Sequence, residues 1–287
     1  MRAEHVKCLS AEGFHHMAYV EWGDPTNPRV LVCAHGLTRC SRDFDFFAWA
    51  MASEYRVVCP DVVGRGRSDW LRDKSLYAIP QYCSDMAALL ARLNVEQVDW
   101  VGTSMGGLIG MALSAMPGSP IARLVLNDVG PVVARSALRR IGTYLGVAPR
   151  FDTIEQAEAF VRQVSASFGH LSDAQWRHIT IHTVHRAADG KIEFVYDPGI
   201  AQPFLAEMAV GGDQDIELWS LYDAISCPTL TVRGADSDLL TRETAVAMSR
   251  RGPRARCVEI EEVGHAPMLM DPDQVEPIRD FLLAGHA

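Results

Sequence analysis

The run Val101-Gly102-Thr103-Ser104-Met105-Gly106-Gly107 ends an apolar strand pattern and opens a helical one. It has the form G-x-S-x-G. A serine on so tight a strand-to-helix turn sits in strained backbone, so the residues two before and two after it must lack bulk; Gly102 and Gly106 do. The turn lifts the hydroxyl clear of the sheet edge. It also sets the Met105 N–H at a helix N-terminus, where partial positive charge can hold an oxyanion. A glycine-rich turn with an incidental serine is the alternative, since five-residue patterns arise by chance. The strand before it and the helix after it favour Ser104 as a nucleophile. A phosphate-binding loop fits less well, because no lysine follows the glycines.

On both sides of this turn, short apolar runs alternate with helix-like segments. Residues 14–22 alternate in strand fashion and end at the turn signal Gly23-Asp24-Pro25. Residues 30–34 (VLVCA) form a continuous β-rich run of the kind buried on both faces of a sheet. Residues 56–60, 98–101 and 121–127 are further strands, and residues 44–52, 80–93 and 105–115 have helical spacing. This repetition predicts an α/β fold, a parallel sheet covered by helices on both faces. From about residue 131 to 218 the pattern turns mostly helical, clearest over 155–168 and 173–184, with loop signals at Ala188-Asp189-Gly190 and Asp197-Pro198-Gly199. The α/β pattern returns over 228–233, 243–249 and 256–260, and a last helix covers 274–283. The expected organisation is a core of residues 1–130 and 219–287, interrupted by a helical insertion over 131–218.

Two more loops complete a reaction site. The VLVCA strand runs into His35-Gly36-Leu37-Thr38, where the glycine lets the chain approach the nucleophile turn. The Leu37 N–H can then face the same point as the Met105 N–H, and two converging donors make an oxyanion hole. An ordinary βα loop would read the same way. His35 is expected to be a structural hydrogen-bonding group rather than a base. Near the end of the chain, Glu261-Glu262-Val263-Gly264-His265-Ala266-Pro267-Met268 presents a histidine in a loop after the last strand. Its place gives the chain order Ser…Asp…His, so His265 is the expected base. The acid that orients it is open among three residues. Asp238 is preferred, in the loop Gly234-Ala235-Asp236-Ser237-Asp238-Leu239-Leu240, because two leucines follow it and could dry the site. Asp236 reads as a turn former. Asp128, at the end of the 121–127 strand, is the third candidate, although capping of a loop or helix explains it as well.

Bulk composition narrows the function classes. The 287 residues are 48% hydrophobic, enough for a sizeable core, and carry a net charge of −9. An acidic balance repels phosphate backbones and anionic lipid, which argues against nucleic-acid and membrane partners. Seven scattered cysteines with no CxxC pair indicate neither a zinc knuckle nor a redox dithiol and suit a reducing compartment. The first two dozen residues lack the apolar core of a signal peptide, and no run approaches the ~20 apolar residues of a membrane helix. A cytoplasmic location is therefore expected. Oligomeric state is not legible; a homodimer is one option.

Taken together, His35-Gly36, Asp61-Val62-Val63-Gly64-Arg65-Gly66-Arg67-Ser68 (similar to D-x-x-G-x-G-x-S), Gly102-Thr103-Ser104-Met105-Gly106-Gly107 and Val263-Gly264-His265 resemble the α/β-hydrolase superfamily. The resemblance implies an eight-stranded, mostly parallel sheet flanked by helices, with a helical cap over the site. It implies a small-molecule acyl substrate and no cofactor. Serine at position 104 argues against the dehalogenase and epoxide hydrolase branches, which need a carboxylate nucleophile. Carboxylic-ester or lactone hydrolysis ranks first, carbon–carbon hydrolysis of diketo-acid ring-cleavage products second, cofactor-free perhydrolysis third. A ligand-binding receptor on the same fold is the non-enzyme alternative. Relatives often carry a proline a few residues past the acid, where this chain has Thr241, so the register of the acid stays open.

Side signals are weaker. His178, His182 and His185 fall on one helical stripe without a carboxylate at ligand spacing, so no metal is expected. Arg39 could meet a substrate carboxylate, or make a surface ion pair. Phe168, Trp176, Phe204 and Trp219 could wall an acyl pocket, or simply pack the core.

Overall fold

The computed structural model describes residues 1–210 and 212–284. Eight strands make one sheet: β1 (Arg2–Ser10), β2 (Gly13–Trp22), β3 (Val30–Ala34), β4 (Arg56–Pro60), β5 (Val98–Thr103), β6 (Ile121–Asn127), β7 (Thr229–Gly234) and β8 (Arg256–Ile260). Their order is β1-β2-β4-β3-β5-β6-β7-β8. β1 and β2 pair antiparallel, as do β2 and β4; every other neighbour is parallel. The expected α/β class and mostly parallel sheet are both present.

The helices explain why β3 is apolar throughout. α2 (Ile79–Leu93) and α3 (Met105–Ser114) cover one face; α1 (Asp45–Met51) and α10 (Pro272–Leu283) cover the other. Side chains alternate along a strand, so Val30, Val32 and Ala34 join Met86, Leu89 and Ile109, while Leu31 and Cys33 join Phe47, Met51 and Ile278. Each of the Val, Leu, Ile, Met and Phe side chains contributes about 1.5–3 kcal/mol by leaving water.

β1 has no counterpart in the sequence reading. Only Val6, Cys8 and Ser10 turn inward, and the outward positions are mostly charged or polar, with Leu9 exposed among them, the usual make-up of a protected sheet edge. Such a strand lacks the apolar run that marks the central ones.

Between β6 and β7 the chain forms α4 (Arg135–Gly142), α5 (Ile154–Val164), α6 (Asp173–Thr183), α7 (Ala201–Val210) and α8 (Trp219–Asp223). Residues 132–133 pair with 216–217 at the base of this segment, and 184–186 pair with 192–194. The second pair turns at Ala188-Asp189-Gly190, which reads as a plain loop in sequence. α9 (Arg242–Met248) joins β7 to β8. Strand order reverses about β3, and the loops leaving β3, β5, β6, β7 and β8 all lie at the strands' carboxyl ends, where α/β sheets hold their sites. Among the described residues no helix is long and apolar enough to cross a membrane.

Candidate active site

Ser104 sits between β5 and α3 with φ 51° and ψ −114°, a backbone that costs a non-glycine residue about 1–3 kcal/mol. The surroundings hold it there. Its N–H donates to Asn127 O at 3.0 Å, and its carbonyl accepts from Gly107 and Leu108 as α3 begins. The flanking glycines are steric necessities: a Cβ on Gly102 would lie 2.3 Å from Gly106 O, and one on Gly106 would lie 2.0 Å from Ala34 O. β5, β3 and α3 can approach this closely only without those carbons.

His265 reaches Ser104 across 161 residues of sequence, with Nε2 3.0 Å from Oγ. On its other side Nδ1 lies 2.7 Å from Asp128 Oδ2. A carboxylate only accepts, so Nδ1–H is the donor there, and Nε2 carries the lone pair that receives the serine hydroxyl proton. Asp128 is fully buried and also accepts from Gly234 N–H at 2.9 Å and from the Ser237 hydroxyl at 2.6 Å. Three donors satisfy a carboxylate that no water reaches.

The preference for Asp238 is therefore corrected. Its carboxylate is exposed and makes a bidentate pair with Arg140 of α4, at 2.7 and 2.8 Å. Asp236 is also exposed, its backbone N–H held by Val263 O. The physical reason lies in the turn after β7. Ser237 Oγ points inward and accepts from the Leu239 and Leu240 amides, which turns both neighbouring aspartates outward. Asp128 comes off β6, directly between β5 and β7, so its short side chain already lies under the histidine. The sequence held two hints: an aspartate directly after a buried strand, and the missing proline past Asp238.

The loop after β3 is bolted in place by groups of the D-x-x-G-x-G-x-S run. His35 Nδ1 donates to Gly36 O at 2.7 Å, and Nε2 accepts from Val62 N–H at 2.9 Å, so this buried ring is a neutral brace. Burial pushes its pKa down accordingly. Asp61 accepts from Ser41 and Arg67 amides, and Gly66, at φ 57°, leaves no room for a Cβ against that carboxylate. Arg65 is fully buried; Nε donates to Leu37 O at 2.8 Å, Nη1 to the Tyr82 hydroxyl at 2.9 Å, and Nη2 lies 3.7 Å from Met105 Sδ. It thus ties the peptide of Leu37 to the start of α3, a role with no sequence signal beyond its place in the motif. As the first residue of α3, Met105 has an amide with no intrahelical acceptor.

A cavity of about 100 Å³ opens over Ser104 and His265. Phe168 lines it, and Trp176 stacks behind Phe168 with centroids 6.4 Å apart. Phe204 and Trp219 pack elsewhere in the core; Tyr144, Phe160 and Phe194 take the places expected of them. Arg39 lines the cavity while pairing with Asp43 through two 2.7 Å bonds. The histidine stripe divides. His185 faces Glu193, whereas His178 and His182 meet Asp45 of α1, a carboxylate the sequence spacing could not reveal. The Arg42 guanidinium already sits in that cluster, bound to Asp45 and 3.4 Å from His182 Nδ1. Burial, and then the Arg42 charge, push the His182 pKa down to about 4.

Comparison with known proteins agrees with this architecture. The profile of the alpha/beta hydrolase family matches residues 31–278. A 3-hydroxybutyrate-oligomer hydrolase from Cupriavidus necator is 54% identical over 276 residues, 94% of each chain. Among solved structures, an alpha/beta hydrolase from Novosphingobium aromaticivorans is 37% identical with a TM-score of 0.85 over 98% of each chain. A protein from Rickettsia typhi is 31% identical with a TM-score of 0.90, covering 98% of this chain and 99% of its own. With its profile, its sheet and its close relatives in agreement, the chain belongs to the alpha/beta hydrolase family and is a hydrolase of that family.

Proposed function

We propose that the chain is a serine ester hydrolase that works through an acyl-enzyme on Ser104, and that its substrates are short oligomers of 3-hydroxybutyrate. The observation that carries the chemistry is the hydrogen-bond chain from Asp128 through His265 to Ser104, at 2.7 and 3.0 Å. His265 takes the hydroxyl proton as Ser104 Oγ attacks the ester carbonyl, and Asp128 holds the imidazole in the correct tautomer and steadies its charge. The Leu37 and Met105 amides receive the oxyanion, each such donor being worth roughly 3–4 kcal/mol in the transition state. His265 then gives the proton to the departing alkoxide. Water, deprotonated by the same ring, releases the acyl group and restores Ser104.

Residues 131–218 act as a lid over this centre. Supporting that role, Tyr144, Phe160 and Phe168 from this segment line the cavity. The Ser167 hydroxyl also donates to His265 O at 2.6 Å, and the Gly264 amide donates to Ser167 O at 2.7 Å. The substrate assignment rests on the relative that is 54% identical over nearly the whole of both chains, and on a cavity sized for a short acyl unit.

Ser104→Ala should lower kcat by about 10⁵–10⁶-fold with the fold retained. Acid release from the 3-hydroxybutyrate trimer and from p-nitrophenyl butyrate measures it. Wild-type turnover by this variant would overturn the acyl-enzyme. Turnover of the p-nitrophenyl ester but not of the trimer would leave the chemistry standing and remove the substrate.

A further inference from the structure

The cavity over Ser104 is lined by apolar side chains together with several hydroxyls, and two arginines, Arg39 and Arg140, and Tyr144 reach it beside Asp43. Arg39 spends Nε and Nη2 on Asp43, and its Nη1 hydrogen-bonds to no protein group among the described residues. Arg140, from α4, spends the same two atoms on Asp238. Tyr144 lines the same cavity: burial raises its hydroxyl pKa, and the Arg140 charge, a hydrogen bond with Arg140 and then the Arg39 charge oppose that rise. All three line the cavity.

This wall is close to the nucleophile. A Cβ on Gly36 would lie 3.6 Å from Arg39 Cγ and 3.8 Å from Ser104 Cβ, so the stem of Arg39 and the serine flank one point. The Arg39 guanidinium is held from two sides, by Asp43 and by the Phe168 ring, whose centroid is 5.8 Å away. Its side chain is only 13% exposed. An arginine fixed in this way presents its outer edge without losing further side-chain freedom, which suits a planar anionic ligand.

We infer that the Arg39–Tyr144–Arg140 wall binds a free carboxylate on the substrate, so that a hydroxyacid oligomer is cut at its acid end. This rests on the ester-hydrolase reading above and adds direction to it. A linear oligomer carries one carboxylate, always on the alkoxy side of each ester bond. Held beside Ser104, it selects the last ester bond. Ser104 Oγ bonds to that carbonyl and the C–O bond breaks. The terminal hydroxyacid departs with the proton from His265, and the shortened oligomer stays on Ser104 until water releases it. The enzyme therefore removes one hydroxyacid per turnover from the acid end.

The test compares the 3-hydroxybutyrate dimer with its methyl ester, at matched concentration, in wild type, Arg39→Met, Arg140→Met and Tyr144→Phe. A trimer labelled in its acid-terminal unit gives the order of release. The wild-type ratio of kcat/KM, free acid over methyl ester, should exceed about ten, and Arg39→Met should lower that ratio by about tenfold or more through KM, as loss of a charged hydrogen bond does. Label should appear first in free monomer. If Arg39→Met alone fails to fold because Asp43 is left buried, the Arg39→Met/Asp43→Asn pair and Arg140→Met supply the same ratio. A wild-type ratio near one, or a ratio unmoved in all folded variants, or label retained in dimer, overturns the inference while ester hydrolysis stands. Failure of wild type to cleave either dimer removes the oligomer substrate and this inference together, and turnover of p-nitrophenyl butyrate then decides the ester chemistry separately.

Discussion

At the scale of single residues, the site is a contest among three aspartates. Asp128 is buried with three donors on its carboxylate, whereas Asp238 faces water beside Arg140. Replacing Asp128 by Asn turns one acceptor oxygen into a donor, leaving His265 without an anchor for the needed tautomer. Asp128→Asn should therefore lower kcat by about 10⁴-fold. Asp238→Asn removes a half-exposed ion pair and should lower it by no more than a few fold. Initial rates on p-nitrophenyl acetate separate the two; equal losses would remove Asp128 from the role given to it. Arg65 matters differently: it holds the carbonyl of Leu37, the residue whose amide is proposed to receive the oxyanion.

At the scale of elements, the sheet edge depends on one buried pair. His15 on β2 meets Asp85 on α2 at 3.1 Å, next to Cys8 of β1, whose thiol burial pushes up to about 12. Burial pulls the His15 pKa down, but the Asp85 hydrogen bond and charge act against it, and the net shift is upward. A histidine raised in the folded state adds stability that is fully present below the unfolded value, about 6.5, and fades as pH rises through the higher folded value. The melting-temperature gap between wild type and Asp85→Asn should thus be larger at pH 6 than at pH 9. A gap that widens with pH would contradict the pairing. Elements with this sort of polar brace are the ones sequence periodicity describes worst: β1 has three inward residues and a mostly polar outer surface, while β3 announces itself by an unbroken apolar run.

At the scale of the whole molecule, the inserted segment is fastened to the sheet at a few points. Asp197 is buried, accepts from the Tyr77 hydroxyl at 2.7 Å and from Lys74, and donates its amide to Gly64 O at 2.8 Å; Arg65 pairs as an isolated bridge with Tyr196. Removing one partner of such a buried pair costs about 3–5 kcal/mol, so Asp197→Ala should lower the melting temperature by roughly 6–10 °C. It should also raise KM, because Tyr196 next to it lines the cavity. Thermal melts and initial rates check both; an unchanged melting temperature would mean that the inserted segment is fastened elsewhere.

The tight strand-to-helix turn at Ser104, the α/β alternation and the braced histidine loop were legible in the sequence because each is local. A glycine two residues from a serine, or an apolar run before a helical one, acts through neighbours within a dozen positions, where sterics and periodicity leave few options. The aspartate that meets His265, the sheet-edge strand and the two arginines lining the cavity were not. Asp128 and His265 are 137 residues apart, and which carboxylate meets the imidazole follows from strand order and from the inward turn of Ser237. Arg39 and Arg140 come to line one cavity only when the segment after β6 folds back over the loop after β3. No local preference encodes such a meeting. It comes from sheet topology and packing, which place distant side chains by where their elements end.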